Sequence, residues 1–241
     1  MPRGPAAPGI ATTTGNAWSG PGGVSARWTG RAQGDMGHRG RHVQVDSVEA
    51  QVEARRRAVV DRPWSWLRQV HGAGVVVVDR PGAGAGEGAD ASVSASPGAA
   101  LAILTADCAP VALASPEGVF GAVHAGWRGL RAGVVEAGVA AMRRLGASEV
   151  VAALGPCLHA ECCAFSPADL DSVADRLGPS VRGRAGDGGT ALDIPASVAA
   201  ALARPGARLV ASSSHCTACT PGYFSHRAHG DLERQALVVW R

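Results

Sequence analysis

The chain has 241 residues, which is enough for one large domain, or two small ones, with a substantial buried core. Its 23 basic side chains are all arginine and nearly balance 20 acidic ones, and no long run of either sign occurs. This even distribution argues against a nucleic-acid-binding surface, and the lack of lysine excludes a lysine Schiff base and a phosphate-binding P-loop.

The N-terminal residues lack the apolar stretch of a signal peptide, and no run of about 18 uncharged apolar residues follows. The six cysteines include the adjacent pair Cys162 and Cys163, a spacing unlike that of a secreted disulfide framework. We therefore expect a soluble cytoplasmic protein with reduced or metal-bound cysteines and no membrane partner.

Secondary structure is predicted from the spacing of apolar residues. Residues 1–44 are rich in glycine, proline and arginine, which predicts a loop-heavy N-terminal segment. Between Val45 and Val60 apolar side chains recur at helical spacing with charges between them, which predicts one amphipathic helix. Mostly apolar runs predict buried strands at residues 75–79, 99–105, 111–115, 119–124, 149–155, 207–214 and 235–240.

Helices are predicted between these strands, at residues 127–146, 166–178 and 193–203. The first ends at Gly146, and the second begins with Ser166 as its N-cap. The segment 183–190 reads as a mobile surface loop. Strands interleaved with helices predict a mixed α/β or α+β layered domain, and the lack of a G-x-G-x-x-G motif after a strand argues against a dinucleotide site.

Three strand-like runs end in a side chain that can bind a metal ion, namely His71, Cys108 and His124. Two imidazoles and one thiolate suit Zn²⁺, and three protein ligands leave the fourth tetrahedral position open for water or substrate. Such a site would supply an activated oxygen nucleophile near neutral pH. Each of these residues can also be an ordinary core or turn residue, so spacing alone leaves both interpretations open.

The turn at 115–118 indicates that two of these candidates are neighbours. Pairing the two ends of this turn places His124 opposite Ala109, next to Cys108. Strict alternation then directs the two candidate side chains to opposite faces of the sheet. Pro110 has no N–H to donate, so we expect the ladder to end or bulge there.

A set of motifs then resembles a known family. In order along the chain they read QVHG, ADASVS, LAILTADCAPV, HAGWRGL, GPCLHAECCAFS, FSHR and ERQALVVW. In this order and spacing they closely resemble the YfiH-like laccase-domain family, also called peptidoglycan editing factor or purine nucleoside phosphorylase. The resemblance runs from about residue 22 to the C-terminus.

The resemblance implies a flexible segment at 1–21 and a single α+β domain at 22–241 with α/β/β/α layers. It also implies a zinc site with the ligands His71, Cys108 and His124. The implied activity is phosphorolysis of purine nucleosides such as adenosine, inosine and methylthioadenosine, with adenosine deamination as a side reaction. Its partners would be a purine nucleoside and phosphate, and the protein would act as a monomer.

Phosphate binding needs arginine, because a guanidinium matches the oxygens two at a time. Arg128 and Arg227 are the candidates for this role, and Arg128 is also a candidate catalytic residue together with Cys108. Arg128 can alternatively make a structural ion pair. Trp127 is a candidate for stacking on the purine, although a tryptophan at this place more often packs in the core.

The remaining cysteines allow several interpretations. Cys216 and Cys219 form a C-x-x-C pair, typical of a redox couple or of half of a structural zinc site whose other half would be Cys162 and Cys163. We favour Cys216 as a residue near the substrate pocket and assign no role to Cys219. A loop is expected at 226–229, with solvated histidines.

Two segments depart from the family's pattern. Where the family usually carries a Ser-Leu-Asn-Leu-Gly segment, residues 26–37 read ARWTGRAQGDMG, without the asparagine. Where the family often has Tyr-Glu-Val or Tyr-Glu-Phe, this chain has Cys163, Ala164 and Phe165. A carboxylate that would orient a base or sugar is therefore missing.

Three other functions remain as alternatives. A copper-dependent polyphenol oxidase is disfavoured, because a multicopper site needs closely spaced histidine pairs and the eight histidines include no His-x-His. Copper is accordingly the less favoured metal. An amidase that edits a peptidoglycan precursor would use the same metal site on an amide carbonyl, and a non-catalytic metal-binding protein would use it without turnover.

Overall fold

The computed structural model describes residues 11–12, 15–37 and 45–241. The predictions of a flexible segment at 1–21 and of a loop-heavy segment at 1–44 partly fall on residues that lie outside the described ones. Within the described chain, no helix combines the length and the apolar character that crossing a membrane requires.

The described residues form strands and helices, with six strands in succession between the first and second helices. The strands are β1 (Ala11–Thr12), β2 (Ala17–Ser19), β3 (Ser25–Trp28), β4 (Trp64–Trp66), β5 (Val75–Val77), β6 (Ala91–Ser94), β7 (Ala100–Thr105), β8 (Ala109–Ala114), β9 (Phe120–Ala125), β10 (Val151–Leu154), β11 (Arg182–Arg184), β12 (Thr190–Leu192), β13 (Arg208–Ser212) and β14 (Gln235–Trp240). The helices are α1 (Val45–Val59), α2 (Trp127–Ala132), α3 (Val134–Arg144), α4 (Pro167–Leu177), α5 (Ile194–Ala203) and α6 (His226–His229).

Two mixed sheets pack face to face. The seven-stranded sheet has the order β1-β13-β10-β8-β9-β6-β5, and the five-stranded sheet has the order β2-β3-β14-β7-β4. In β7, Leu101 and Ile103 point into the core between the sheets, while Ala100 and Ala102 point outward. This alternation follows from the two-residue period of a strand, and it gives both faces of β7 an apolar partner.

Helices cover the outer faces of both sheets. α2 to α5 pack on the seven-stranded sheet, where Leu130, Val139 and Val198 join one apolar cluster with Val111. Val59, near the end of α1, packs on the outer face of the five-stranded sheet. The molecule is therefore α+β with α/β/β/α layers, as predicted.

The prediction of one helix over 127–146 was wrong, because the helix breaks at Gly133. This residue adopts a left-handed backbone with φ of 91°, and its N–H donates to the Gly129 carbonyl at 2.8 Å. A Cβ at Gly133 would lie 2.4 Å from Nη2 of Arg176. The glycine thus ends α2 and redirects the chain into α3.

Several short elements escaped the sequence patterns. The short strands β2 and β3 lie in the segment predicted as loop-heavy, and β4 and β6 were also missed, because strands of three or four residues carry little periodicity. In the segment 183–190, predicted as a surface loop, residues 185–189 form the turn of the β11–β12 hairpin and the remaining residues belong to its two strands. Residues 226–229, also predicted as a loop, form α6, which Ser225 caps by accepting a hydrogen bond from the Ala228 N–H at 3.1 Å. The predicted helices α1, α4 and α5 and the seven predicted strands are confirmed.

Candidate metal centre and active site

The turn between β8 and β9 is one residue longer than predicted. The Ser115 N–H donates to the Val119 carbonyl at 3.0 Å, so Ser115 pairs with Val119 rather than with Gly118. Gly118 closes the turn with a left-handed φ of 79°. A three-residue loop with glycine at its last position is a common hairpin geometry, and it shifts the register of both strands by one residue.

The shifted register pairs His124 with Pro110 instead of Ala109. The predicted break at Pro110 was wrong, and the ladder continues through it. The His124 N–H donates to the Asp90 carbonyl at 2.7 Å, on the side away from β8. His124 and Pro110 are therefore a non-hydrogen-bonded pair, and the missing N–H of proline does not interrupt the ladder between β8 and β9. Cys108 lies two residues before Pro110, so alternation now directs it to the same face as His124.

His71, Cys108 and His124 come together at these strand ends. One ligand atom from each lies within 4.8 Å of the others, and His71 Nε2 is 4.0 Å from Cys108 Sγ. Gly126 closes the backbone over the cluster, since a Cβ there would lie 3.0 Å from His71 Cδ2 and 3.1 Å from Cys108 Sγ. This donor set and its close spacing fit a Zn²⁺ ion with three protein ligands.

Asp90 holds two of the three candidate ligands in place. Its carboxylate is fully buried and accepts a hydrogen bond from His124 Nδ1 at 2.8 Å, which leaves Nε2 as the free ring nitrogen. It also accepts the backbone N–H groups of His71 at 2.9 Å and Gly72 at 2.7 Å. His71 has a left-handed φ of 58°, so these bonds support a backbone conformation that a histidine rarely adopts.

The cluster is charged even without a metal. Burial alone raises the pKa of the Cys108 thiol, but His124 and His71 lower it more, to about 6. Burial lowers the pKa of His124, but the Cys108 thiolate and Asp90 raise it more, to about 9. Near neutral pH the metal-free pair is therefore thiolate and imidazolium, and the sulfur is already in the form that binds metals.

We expect alkylation of Cys108 in the metal-free protein to become faster as the pH rises and to reach half its maximal rate near pH 6. The reason is that the thiolate, not the thiol, reacts with iodoacetamide. Mass spectrometry of the Cys108 peptide measures the rate. The urea-unfolded protein is the control, and its midpoint should lie near the ordinary value of 9.0. An equal midpoint in folded and unfolded protein would contradict the proposed charge state.

A cavity of about 620 Å³ opens beside the cluster. Of the site residues predicted from the sequence, five line this cavity: His71, Cys108, His124, Trp127 and Arg227. Two further arginines, Arg68 and Arg234, also line it. Trp127 and Phe165 form an apolar wall, with their rings edge to face and their centroids 5.4 Å apart. The cavity lining thus combines aromatic side chains with three arginines.

Asp107 fixes the segment that carries Arg227. Its carboxylate accepts hydrogen bonds from Thr217 Oγ1 at 2.8 Å, Ser225 Oγ at 2.7 Å and the Arg227 N–H at 2.7 Å. Like His71, Asp107 has a positive φ, of 101°. Since it directly precedes Cys108, it ties the strand end that carries this candidate ligand to the segment that carries Arg227.

Two predicted site residues are not among those that line the cavity. Arg128 is exposed, and its guanidinium carbon lies 4.4 Å from the centroid of the Trp127 ring. Cys216 is buried outside the cavity lining, and its sulfur accepts the His159 N–H at 3.4 Å. Any contribution of Arg128 to the cavity therefore passes through Trp127.

Sequence reasoning missed four residues that shape the site: Asp90, Asp107, Arg68 and Arg234. The first two carried a usable signal, because an aspartate directly next to an apolar strand is buried only when its carboxylate is hydrogen-bonded or paired. No comparable signal marks Arg68 and Arg234, although Arg68 lies three residues before His71 and Arg234 lies seven residues after Arg227.

Comparisons with known proteins agree with this architecture. The family model described as multi-copper polyphenol oxidoreductase laccase matches residues 21–241. A purine nucleoside phosphorylase of Streptomyces coelicolor is 44% identical over 179 residues, which cover 73% of this chain and 74% of that protein. A crystal structure of a Neisseria meningitidis protein superposes with a TM-score of 0.76 at 28% identity and covers 92% of this chain and 96% of that one. The crystal structure of YfiH from Bacillus licheniformis has the same fold, with a TM-score of 0.76 at 24% identity over 90% of this chain and 92% of that one.

Proposed function

This chain belongs to the family described as multi-copper polyphenol oxidoreductase laccase, and we propose that within this family it acts as a zinc-dependent purine nucleoside phosphorylase. Its substrates would be adenosine, inosine and methylthioadenosine, with adenosine deamination as a side activity. The observation that carries the proposal is the His71, Cys108 and His124 cluster beside a cavity with aromatic walls and three arginines. The name of the Streptomyces coelicolor relative supports the same activity.

The metal would be held by His71, Cys108 and His124, with Asp90 orienting His124. The buried Asp90 carboxylate at Nδ1 fixes the imidazole with Nε2 toward the cluster, an arrangement usual for histidines that bind zinc. A bound Zn²⁺ would act as a Lewis acid there and would lower the pKa of a water molecule bound to it to about 7.

The purine would bind against the aromatic wall. Trp127 and Phe165 present apolar surface inside the cavity, and a flat heterocycle gains burial and ring contacts there. Arg128 lies over the Trp127 ring, where it would hold the indole in place by a cation–π contact. We therefore assign Arg128 a positioning role.

Phosphate would bind to the arginines that line the cavity. Asp107 fixes Arg227 through its backbone N–H, so the guanidinium remains available, although Nη1 also donates to the Ala164 carbonyl at 3.0 Å. With Arg68 and Arg234 nearby, the cavity favours a dianion. Bound phosphate would then attack the anomeric carbon as the bond to the purine breaks, and the proton of the phosphate would pass to the departing base. The products would be the free base and the sugar 1-phosphate, which is ribose 1-phosphate for adenosine and inosine.

The decisive assay measures release of hypoxanthine from inosine with and without inorganic phosphate. We expect release to depend on phosphate and the sugar product to be ribose 1-phosphate. Free ribose as the main product, at a rate that phosphate does not change, would contradict phosphorolysis and indicate a hydrolase. No release from adenosine, inosine or methylthioadenosine would contradict the proposed substrate class.

Replacing Arg227 by alanine is expected to raise the KM for phosphate about 10- to 100-fold, because a hydrogen bond to a charged group contributes about 1.5–3 kcal/mol. Steady-state assays at varied phosphate concentration measure the effect. Arg227→Lys keeps the charge but not the two-pronged geometry, so its KM should lie between the two. The exposed Arg80, paired with Asp79 at a surface turn, provides the control Arg80→Ala. An unchanged phosphate KM in Arg227→Ala would remove this residue from the phosphate site.

A further inference from the structure

A second group of metal-binding side chains lies away from the cavity. Among the described residues, two groups of histidine, cysteine or acidic side chains bring their ligand atoms within 4.8 Å of one another. The second group consists of Glu161, Cys162, Cys216 and Cys219. None of these four is among the described residues that line the cavity, so the group is separate from the site at Cys108.

The backbone builds this group from two segments that are distant in sequence. Glu161 and Cys162 lie on the single 3₁₀ turn Ala160–Cys162, which follows β10. Cys216 and Cys219 lie on a turn that follows β13 and is closed by a hydrogen bond from the Thr220 N–H to the Cys216 carbonyl at 3.0 Å. This turn places both sulfurs of the C-x-x-C pair on the side that faces Cys162.

Backbone hydrogen bonds join the two segments directly beneath the sulfurs. Cys157 and Cys216 form a parallel bridge, in which the Thr217 N–H donates to the Cys157 carbonyl at 3.0 Å. The His159 N–H donates to the Cys216 sulfur at 3.4 Å. An N–H directed at a sulfur is a contact of the kind that orients cysteines bound to a metal.

The number of converging donors distinguishes a metal site from a redox pair. The sulfurs of Cys162 and Cys219 are 2.9 Å apart, but a disulfide between them would leave out the buried sulfur of Cys216 and the carboxylate of Glu161. Three thiolates with a fourth donor are typical of a closed, tetrahedral zinc site, whereas Mg²⁺ and Ca²⁺ prefer oxygen ligands. We propose that Glu161, Cys162, Cys216 and Cys219 bind a structural Zn²⁺ ion.

The position of this second site gives it a structural consequence. Cys163, the residue after Cys162, faces the other way and lines the cavity, as does Phe165. The segment after Cys219 leads to Arg227 on another part of the cavity wall. A metal ion at the second site therefore clamps together two segments that form the cavity, whatever reaction the cavity supports.

The test uses the full-length protein with Cys108→Ser, which removes the only thiolate of the first site. After the metals are removed with a chelator under reducing conditions, Co²⁺ is titrated in and the near-ultraviolet sulfur-to-cobalt charge-transfer absorbance is recorded. We expect Cys108→Ser to bind cobalt with most of the wild-type absorbance, because three of the four thiolate ligands remain. Loss of nearly all the absorbance in Cys108→Ser would overturn the proposal.

Further variants in the Cys108→Ser background identify the ligands. Adding Cys219→Ser should lower the remaining absorbance by about a third or more, because one of the three thiolates of this site is lost. Cys163 is the adjacent cysteine that faces the cavity, and adding Cys163→Ser should leave the absorbance unchanged. If Cys219→Ser does not fold, the exposed Glu161→Gln serves instead, and we expect it to weaken cobalt binding about 10-fold or more while the bands persist. Unchanged cobalt affinity in Glu161→Gln, or a Cys162–Cys219 disulfide found by mass spectrometry in freshly isolated protein, would contradict the four-ligand site.

Discussion

Cys108→Ala is expected to lower the metal content by about one ion per chain and to reduce phosphorolysis more than about 100-fold. Three ligands are the minimum that a catalytic zinc site retains, so the loss of the only thiolate leaves two imidazoles. Substituting a residue that only hydrogen-bonds to a metal ligand already costs about 10- to 100-fold in metal affinity or activity. The loss of a ligand itself should therefore cost more. Elemental analysis of the purified protein and an inosine assay measure the two effects.

The control for this prediction is Cys163→Ala. Cys163 lines the same cavity but does not belong to the His71, Cys108 and His124 group. It should therefore keep the metal at that site. If Cys108→Ala retained full metal content and turnover, the metal centre would have to lie elsewhere. If it lost the metal but kept phosphate-dependent turnover, the metal would be structural, and the arginines and the aromatic wall would have to sustain the reaction.

The register of the β8–β9 hairpin illustrates what the sequence could predict about this site. The apolar runs predicted both strands, and the turn placed Cys108 close to His124. Whether the turn contains two or three residues depends on Gly118 adopting a left-handed backbone, which the local pattern does not reveal. That one residue decides whether the two side chains share a face, so proximity was predictable and geometry was not.

The groups that orient the ligands depend on contacts between distant segments. Asp90 binds His124 across 34 residues of sequence, and Asp107 binds Arg227 across 120 residues. Similarly, Cys162 and Cys219 are 57 residues apart, and the sequence alone left a structural zinc site as only one of several interpretations of the C-x-x-C pair. Periodicity is a local property and predicts elements, while pairs of this kind appear only once the sheets bring the strand ends together.

Asp90 provides the second large effect, on stability as well as on metal affinity. Its carboxylate is fully buried and accepts hydrogen bonds from the His124 ring and from the backbone N–H groups of Val70, His71 and Gly72. Burial on its own raises the pKa of Asp90, but the hydrogen bonds from His124 and Gly72 lower it more, and the net pKa is below the ordinary 3.8. The ionised carboxylate therefore stabilises the folded state above about pH 4, and this contribution is lost as the pH falls through the lowered pKa.

Asp90→Ala is expected to lower the free energy of unfolding of the metal-free protein by about 3–5 kcal/mol, because it leaves a buried imidazolium and three N–H groups without their acceptor. Asp90→Asn keeps the shape but not the charge, and we expect it to weaken zinc binding about 10- to 100-fold. Urea denaturation and competition with a chromogenic chelator measure the two effects. The exposed Asp79, whose side chain is 71% accessible, provides the matched control Asp79→Asn. Zinc affinity in Asp90→Asn equal to that of Asp79→Asn would show that the left-handed backbone at His71 and the packing around His124, rather than the carboxylate, hold the ligands in place.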